Sequence, residues 1–177
     1  MREEVILVDE NDHEIGVMEK MEAHRKGTLH RAFSVFLFNG KNEYLLHQRT
    51  HDKYHSAGLW TNTCCSHPRP NEQLLDGAHR RLREEMGIEC ELKKMFQFTY
   101  HADVGNGLAE HEVDHVFYGF YDAVPRPNAE EVQDWKWMNE EELKAQLSHH
   151  PENFTTWFRI AAPMVIDFMK HNIVSHK

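Results

Sequence analysis

The chain has no apolar run approaching the roughly 18 residues that span a bilayer. Its opening residues, MREEVILVDE, lack the basic, apolar and small-residue segments of an export signal, so a soluble cytoplasmic protein is expected. Cysteine is scarce: Cys64, Cys65 and Cys90 are the only three, and the adjacent pair is badly placed to bond to itself. With no disulfide framework, the thiols are expected to be free. A basic tail is missing too, and the net charge is −9, which excludes nucleic acid and anionic membrane surfaces as expected partners. Repeats, low-complexity segments and Gly/Ser linkers are absent, so 177 residues read as one domain spanning 1–177. What the chain has in excess is histidine, fifteen in all.

Two short apolar stretches, Glu4 to Asp9 and Glu14 to Glu19, flank a polar turn and read as a β-hairpin. KMEAHRKGTLH after them is polar, irregular or briefly helical. RAFSVFLF and EYLLHQRT, separated by NGKN, give a second hairpin whose first strand is central and buried. From Glu72 to Met86 the period becomes helical: Leu74, Leu75, Ala78, Leu82 and Met86 share one face, Arg81 and Glu85 another, and Gly87 ends the helix. KKMFQFTYHADV and AEHEVDHVFYGFYDAV read as long strands joined through GNG, VQDWKWM as a strand, and NEEELKAQL as a helix capped by Asn139. A last amphipathic helix runs from about Phe154 to Lys170. Strands on both sides of one central helix predict an α+β fold, a mixed β-sheet sandwich with flanking helices.

Several residue groups could carry chemistry. On a strand, Glu110 and Glu112 project to one face and His111 to the other, although an isolated Glu-x-Glu is more often a solvated acidic surface. Cys65 and His67 share the same two-residue spacing, but no second pair follows to complete a four-ligand zinc knuckle. His24 and His30 flank the polar segment before the buried strand. Three histidines and two carboxylates, if brought together, make a nitrogen and oxygen shell suited to Mn²⁺ or Zn²⁺, and spacing alone does not show that they converge.

The most specific signal lies before Gly87. Glu72, Arg80, Leu82, Glu84, Glu85, Gly87 and Ile88 resemble the Nudix box, G-x5-E-x7-R-E-U-x-E-E-x-G-U, over residues 66–88. The carboxylates of that loop, helix and loop hold Mg²⁺ against a diphosphate. Two positions depart from it: Ser66 replaces the first Gly, and Arg81 replaces the first Glu of the REUxEE core. A guanidinium there removes a metal ligand and adds a partner for phosphate oxygens, as expected of a site that holds a diphosphate without cleaving it. A helix-face ion pair of Arg81 with Glu84 or Glu85 is the plainer reading.

With TNTCCSHP and EHE added, nearly the whole chain, from EKMEAH near the start to FTTWF near the end, resembles the type 1 isopentenyl-diphosphate isomerases, non-hydrolytic relatives of the Nudix enzymes. The resemblance implies a Nudix-type sandwich and interconversion of isopentenyl and dimethylallyl diphosphate through a carbocation. It implies that Cys65 and Glu112 are the opposed acid and base, in an order left open, with Tyr100 assisting the carboxyl group. It further implies that His24, His30, His67, Glu110 and Glu112 hold a tightly bound ion (Mn²⁺ or Zn²⁺), and that Glu85 binds a second, Mg²⁺, bridging to the diphosphate. Lys20, Arg49, Lys53 and Arg81 match the family's diphosphate-binding cations. Trp157 matches its cation-facing tryptophan, a contact worth on the order of 2 kcal/mol when desolvated. Thr156 stands where the family often has proline, and core packing competes for both Trp157 and Trp60.

The main alternative is a Nudix-type pyrophosphohydrolase of a nucleotide or prenyl diphosphate, against which Arg81 argues. A metal-stabilised binding module would leave Cys65 and Glu112 incidental. A cysteine hydrolase using Cys65 and His67 needs the two groups within hydrogen-bond reach, which a shared strand face does not ensure.

Overall fold

A computed structural model describes residues 3–173. The first hairpin is β1 (Glu4–Val8) with β2 (Glu14–Glu19), antiparallel as expected. The next segment is helical: α1 (Lys20–Lys26) is capped by the Glu19 carboxylate, which accepts from the N–H groups of Met21 and Glu22 at 2.9 Å.

β3 (His30–Phe38) is the central strand, and its alternation sorts the core into two halves. Phe33, Val35 and Leu37 pack on one side with Ala78, Leu82 and Met86 of α2 (Leu74–Met86). Phe36 and Phe38 pack on the other with Phe158, Ala162 and Val165 of α4 (Thr156–Asn172). Such two-sided burial explains why β3 is a near-continuous apolar run, whereas half-buried strands alternate.

The NGKN turn forms, but the expected second hairpin is only its tip. β3 and β4 (Tyr44–Arg49) pair at Phe38 and Tyr44 and then diverge. The edges of β3 are taken by β6 (Cys64–Ser66), antiparallel, and by β8 (Leu108–Phe120), parallel from His30–Glu112 to Phe38–Phe120. β4 instead pairs with β5 (Trp60–Thr61) and β9 (Val132–Met138).

β7 (Lys93–Gly105) meets β8 through Asn106-Gly107, both at positive φ (56° and 71°), the geometry that suits the right-handed twist of paired strands. α2 starts two residues later than the periodicity suggests, because Glu72 lies in the preceding turn, where its carboxylate binds Arg80 at 2.7 and 2.9 Å. Leu75, counted on the buried face, is 39% exposed. Gly87 closes α2 at φ +63°, and a Cβ there would lie 2.5 Å from the Arg126 carbonyl oxygen. Asn139 caps α3 (Glu140–His149) as expected, accepting from Glu142 N–H at 2.9 Å, and a 3-10 turn at Pro151–Asn153 leads into α4.

Candidate active site

The site gathers where α1, the two edges of β3 and the end of α2 meet. β6 brings Cys65 to one edge of β3, opposite Ser34, while β8 brings Glu112 to the other, opposite His30. Strand parity then decides which neighbours belong to the site. Glu110 and Glu112 face the pocket; His111 turns away, its Nδ1 3.1 Å from the Gly27 carbonyl oxygen. Cys65 lines the pocket with His67, whereas Cys64 is buried against the α2 half of the core.

The histidines converge. His24 Nδ1 donates to the Lys20 carbonyl oxygen one turn back at 2.7 Å, and His30 Nδ1 to that of Thr28 at 2.8 Å. In a neutral ring the nitrogen facing a carbonyl carries the proton, which leaves the Nε2 lone pair of each histidine for an ion. His24 Nε2 is buried with no hydrogen-bond partner. His30 Nε2 lies 3.2 Å from His67 Nε2, and Glu112 Oε1 lies 3.3 and 2.9 Å from those two nitrogens. Neighbouring donors around an ion with bonds of about 2.1 Å sit at about 3 Å from each other. The donor atoms of His24, His30, His67 and Glu112 all lie within 4.8 Å of one another, and this buried set fits a divalent cation.

Protonation agrees with that fit. Burial lowers the pKa of His24, and lowers that of His67 to about 4 despite its contact with Glu112, so both rings are neutral at physiological pH. Of the two carboxyls, burial and the charge of Glu112 push Glu110 well up. Burial opposes ionisation of Glu112 as well, but the contacts from His30 and His67 outweigh it and hold Glu112 well down. The Tyr100 hydroxyl lies 2.8 Å from Glu110 Oε2 and 2.7 Å from Glu112 Oε2, one phenolic group serving both carboxyls. Burial also raises the pKa of the Cys65 thiol, with Arg49 offsetting part of the shift, so the sulfur keeps its proton at neutral pH. Cys65 and His67 do share a face, yet no hydrogen bond joins them among the described residues, and the imidazole is engaged by Glu112.

Lys20, Arg49, Lys53 and Arg81 line the same pocket as Glu85 and Trp157. Each cation is tethered. Lys20 binds Glu3 at 2.9 Å, Arg49 Nη2 donates to the His55 carbonyl oxygen at 3.2 Å, and Lys53 binds Glu131. Arg81 makes the helix-face pairs, 2.8 Å to Glu84 and 2.5 Å to Glu85, while still facing the pocket, and its guanidinium is 3.7 Å from Glu131. The Nε atoms of Arg49 and Arg81 are buried without partners. Arg49 stacks on the Trp157 ring at 5.3 Å. Trp157 is therefore both core and pocket wall; Trp60 is a packing residue, with Lys136 Nζ 4.1 Å over its ring.

Residues 28–158 match the NUDIX domain family. An isopentenyl-diphosphate Delta-isomerase 2 from Aromatoleum aromaticum is 51% identical over 94% of this chain and 88% of its own length. The isopentenyl-diphosphate Delta-isomerase of Pectobacterium atrosepticum is also 51% identical, over 93% of this chain and 92% of its own. The chain belongs to the isopentenyl-diphosphate Delta-isomerase family. Among solved structures, DR0079 from Deinococcus radiodurans is similar with a TM-score of 0.71 at 19% identity, covering 84% of this chain and 90% of its own. A MutT protein from Methanosarcina mazei Go1 reaches 0.64 at 21%, covering 82% and 96%. These two likenesses show the Nudix fold alone.

Two residues that the motifs do not contain also bear on the site, one beside the pocket and one lining it. Glu131, at the foot of β9, sits between Lys53 and Arg81 and gives them a common anchor. His55 is 3% exposed, with Nε2 3.2 Å from Glu110 Oε1, and its donor atom lies within 4.8 Å of those of His24 and Glu110. Neither carried a periodic signal: one is a carboxylate in an acidic chain, the other one histidine of fifteen in a polar stretch.

Proposed function

We propose that the protein interconverts isopentenyl and dimethylallyl diphosphate, with Cys65 and Glu112 as the acid and base, for isoprenoid synthesis in the cytoplasm. One observation carries the assignment of roles. A protonated thiol and a carboxyl group held by Tyr100 open on one pocket from opposite edges of β3, beside four cations.

An unactivated alkene is a poor base, so the site must exclude water and tolerate a tertiary cation without trapping it. A proton added to the terminal methylene carbon leaves that cation on the adjacent carbon; loss of a proton from the methylene on its other side forms the allylic isomer. Cys65 and Glu112 are the two proton-carrying groups, and the buried indole of Trp157 offers the cation a neutral aromatic face. Lys20, Arg49, Lys53 and Arg81 bind the diphosphate, which they orient without activating water. The carboxyl-bearing set His24, His30, His67, Glu110 and Glu112 would hold Mn²⁺ or Zn²⁺, and Glu85 would hold Mg²⁺ beside the diphosphate. When bound, these ions supply fixed positive charge near the carboxyls and phosphates.

Arg81 favours this reading over a pyrophosphohydrolase, because the glutamate of the hydrolytic box is replaced by a phosphate partner. Among the described residues, no helix is long and apolar enough to cross a membrane. Proton NMR in D₂O of isopentenyl diphosphate with the protein, Mg²⁺ and Mn²⁺ tests the proposal. The expected result is dimethylallyl diphosphate carrying deuterium, without phosphate release; phosphate release without isomerisation would overturn it.

A further inference from the structure

The stretch from His51 to Gly58 is a loop without regular structure, and His55 is the one residue in it that is buried. Loops expose their side chains unless a specific contact draws one in. Here the ring is drawn in by four neighbours. It lies edge-on to Trp157 at 5.9 Å and to Tyr54 at 4.5 Å, and nearly parallel to His24 at 5.8 Å. Its Nε2 is 3.2 Å from Glu110 Oε1.

From this we infer that His55 is a positioning residue, which fixes the Glu110 carboxyl group for the metal centre and locks it to the Trp157 indole. The inference deepens the proposed function and rests on the metal-centre reading of that site. Glu110 is gripped on both oxygens: Oε2 by the Tyr100 hydroxyl at 2.8 Å, Oε1 by His55. A carboxyl group held at both ends cannot swing away from the ion, which is the part that residues behind a ligand play.

The hydrogen-bond partners separate this role from direct ligation. His24 and His30 tie Nδ1 to backbone carbonyls, which leaves an Nε2 lone pair for an ion. His55 Nδ1 instead faces the Ser56 hydroxyl at 3.2 Å, a group able to donate, and its Nε2 then carries the proton given to Glu110. Ser56 adopts φ +50°, a left-handed conformation uncommon for serine, directly after the residue being presented. His55 and Glu110 both stand outside the group formed by His24, His30, His67 and Glu112, and together with His24 they form a second group of close donor atoms, so direct ligation by His55 is the alternative that the test must separate. The His55 carbonyl oxygen accepts from Arg49 Nη2, so the same residue touches the carboxyl group, the tryptophan and a diphosphate cation.

The test is Mn²⁺ binding to chelator-stripped protein, followed by electron paramagnetic resonance of the free ion, for wild type, His55→Phe and His55→Gln. Phenylalanine keeps the ring packing and removes both nitrogens; the glutamine amide can still donate to Glu110. We expect His55→Phe to weaken Mn²⁺ binding by about 10- to 100-fold, and glutamine to recover most of the loss. If the phenyl variant does not fold, His55→Ala replaces it with the same expectation. Equal affinity of wild type and variant would overturn the inference alone. So would loss of one histidine nitrogen from the pulsed-resonance spectrum of bound Mn²⁺ in His55→Phe, since that makes His55 a ligand. A wild type that takes up no Mn²⁺ would overturn the metal centre itself.

Discussion

Arg81 can be returned to the residue that a hydrolytic box carries there, and the consequence can be worked from its surroundings. The guanidinium lies 2.8 Å from Glu84, 2.5 Å from Glu85 and 3.7 Å from Glu131, so Arg81→Glu sets a fourth carboxylate among three. A hydrogen bond to a charged group contributes about 1.5–3 kcal/mol, or about 10- to 150-fold in rate. Arg81→Gln, which removes the charge and the fork, should therefore lower kcat/KM for isopentenyl diphosphate by about that factor. Arg81→Lys keeps the charge but not the paired donors and should lose less, about tenfold at most. Reversal of the charge adds repulsion of about 1–4 kcal/mol at phosphate distance, taking the loss for Arg81→Glu to about 2.5–7 kcal/mol, or about 70-fold to 10⁵-fold. Initial rates by NMR, with phosphate release followed in the same tube, separate the outcomes, and circular dichroism checks that each variant folds. Arg81→Gln within twofold of wild type would refute a role in diphosphate binding. Phosphate release by Arg81→Glu would show that the arginine alone had kept the site from hydrolysis.

Cys65→Ala should abolish turnover to within about 10²- to 10⁴-fold below wild type, the usual contribution of a proton-transfer group, while Mn²⁺ binding stays intact; retained turnover would remove Cys65 from the chemistry. Tyr100→Phe leaves Glu110 and Glu112 without their shared phenol, and urea unfolding should show a loss of about 1–3 kcal/mol. Asp114 gives a pH prediction. Burial, then the charge of Glu112, pushes its carboxyl from 3.8 up to about 8, with Ser34 Oγ donating to Oδ2 at 2.7 Å. A raised carboxyl pKa contributes stability that is present below about pH 3.8 and lost as pH climbs to about 8. Asp114→Asn does not titrate, so in chelated protein its stability relative to wild type should rise by about 1.4 kcal/mol per pH unit across that window. A difference that stays flat with pH would refute the shift.

The local elements were legible because their signals are local. Asn106-Gly107 between two alternating runs specifies the β7–β8 hairpin, Gly87 the end of α2, and Asn139 the start of α3. The partners of β3 were not legible. NGKN marks a turn correctly, but what pairs beyond it depends on β6 and β8, and β8 pairs with β3 at a separation of 82 residues, as His30 with Glu112. The same distinction runs through the site. Parity on β8 sends Glu110 and Glu112 to one face, and parity on β6 separates Cys65 from Cys64, both readable within a few residues. Convergence of His24, His30 and His67 with those carboxylates was available from the family resemblance and not from spacing, because α1, β3, β6 and β8 meet only in the folded sheet.

His55 and Glu131 mark where even the resemblance stops. Each acquires its meaning from a distant partner: His55 from Glu110 and from Trp157 on α4, Glu131 from Lys53 and Arg81. Both carry out the same kind of task, holding a charged group in position while leaving another part of it free. In the proposed reaction, Glu131 anchors cations that must still accept a diphosphate, and His55 and Tyr100 hold a carboxyl group whose neighbour must still move a proton. A reaction through a carbocation depends on such positioning, since a cation displaced toward water would be trapped as an alcohol. The residues around the proposed chemistry are therefore each tied to more than one partner, while the groups assigned to proton transfer, Cys65 and Glu112, line the same pocket as the four cations.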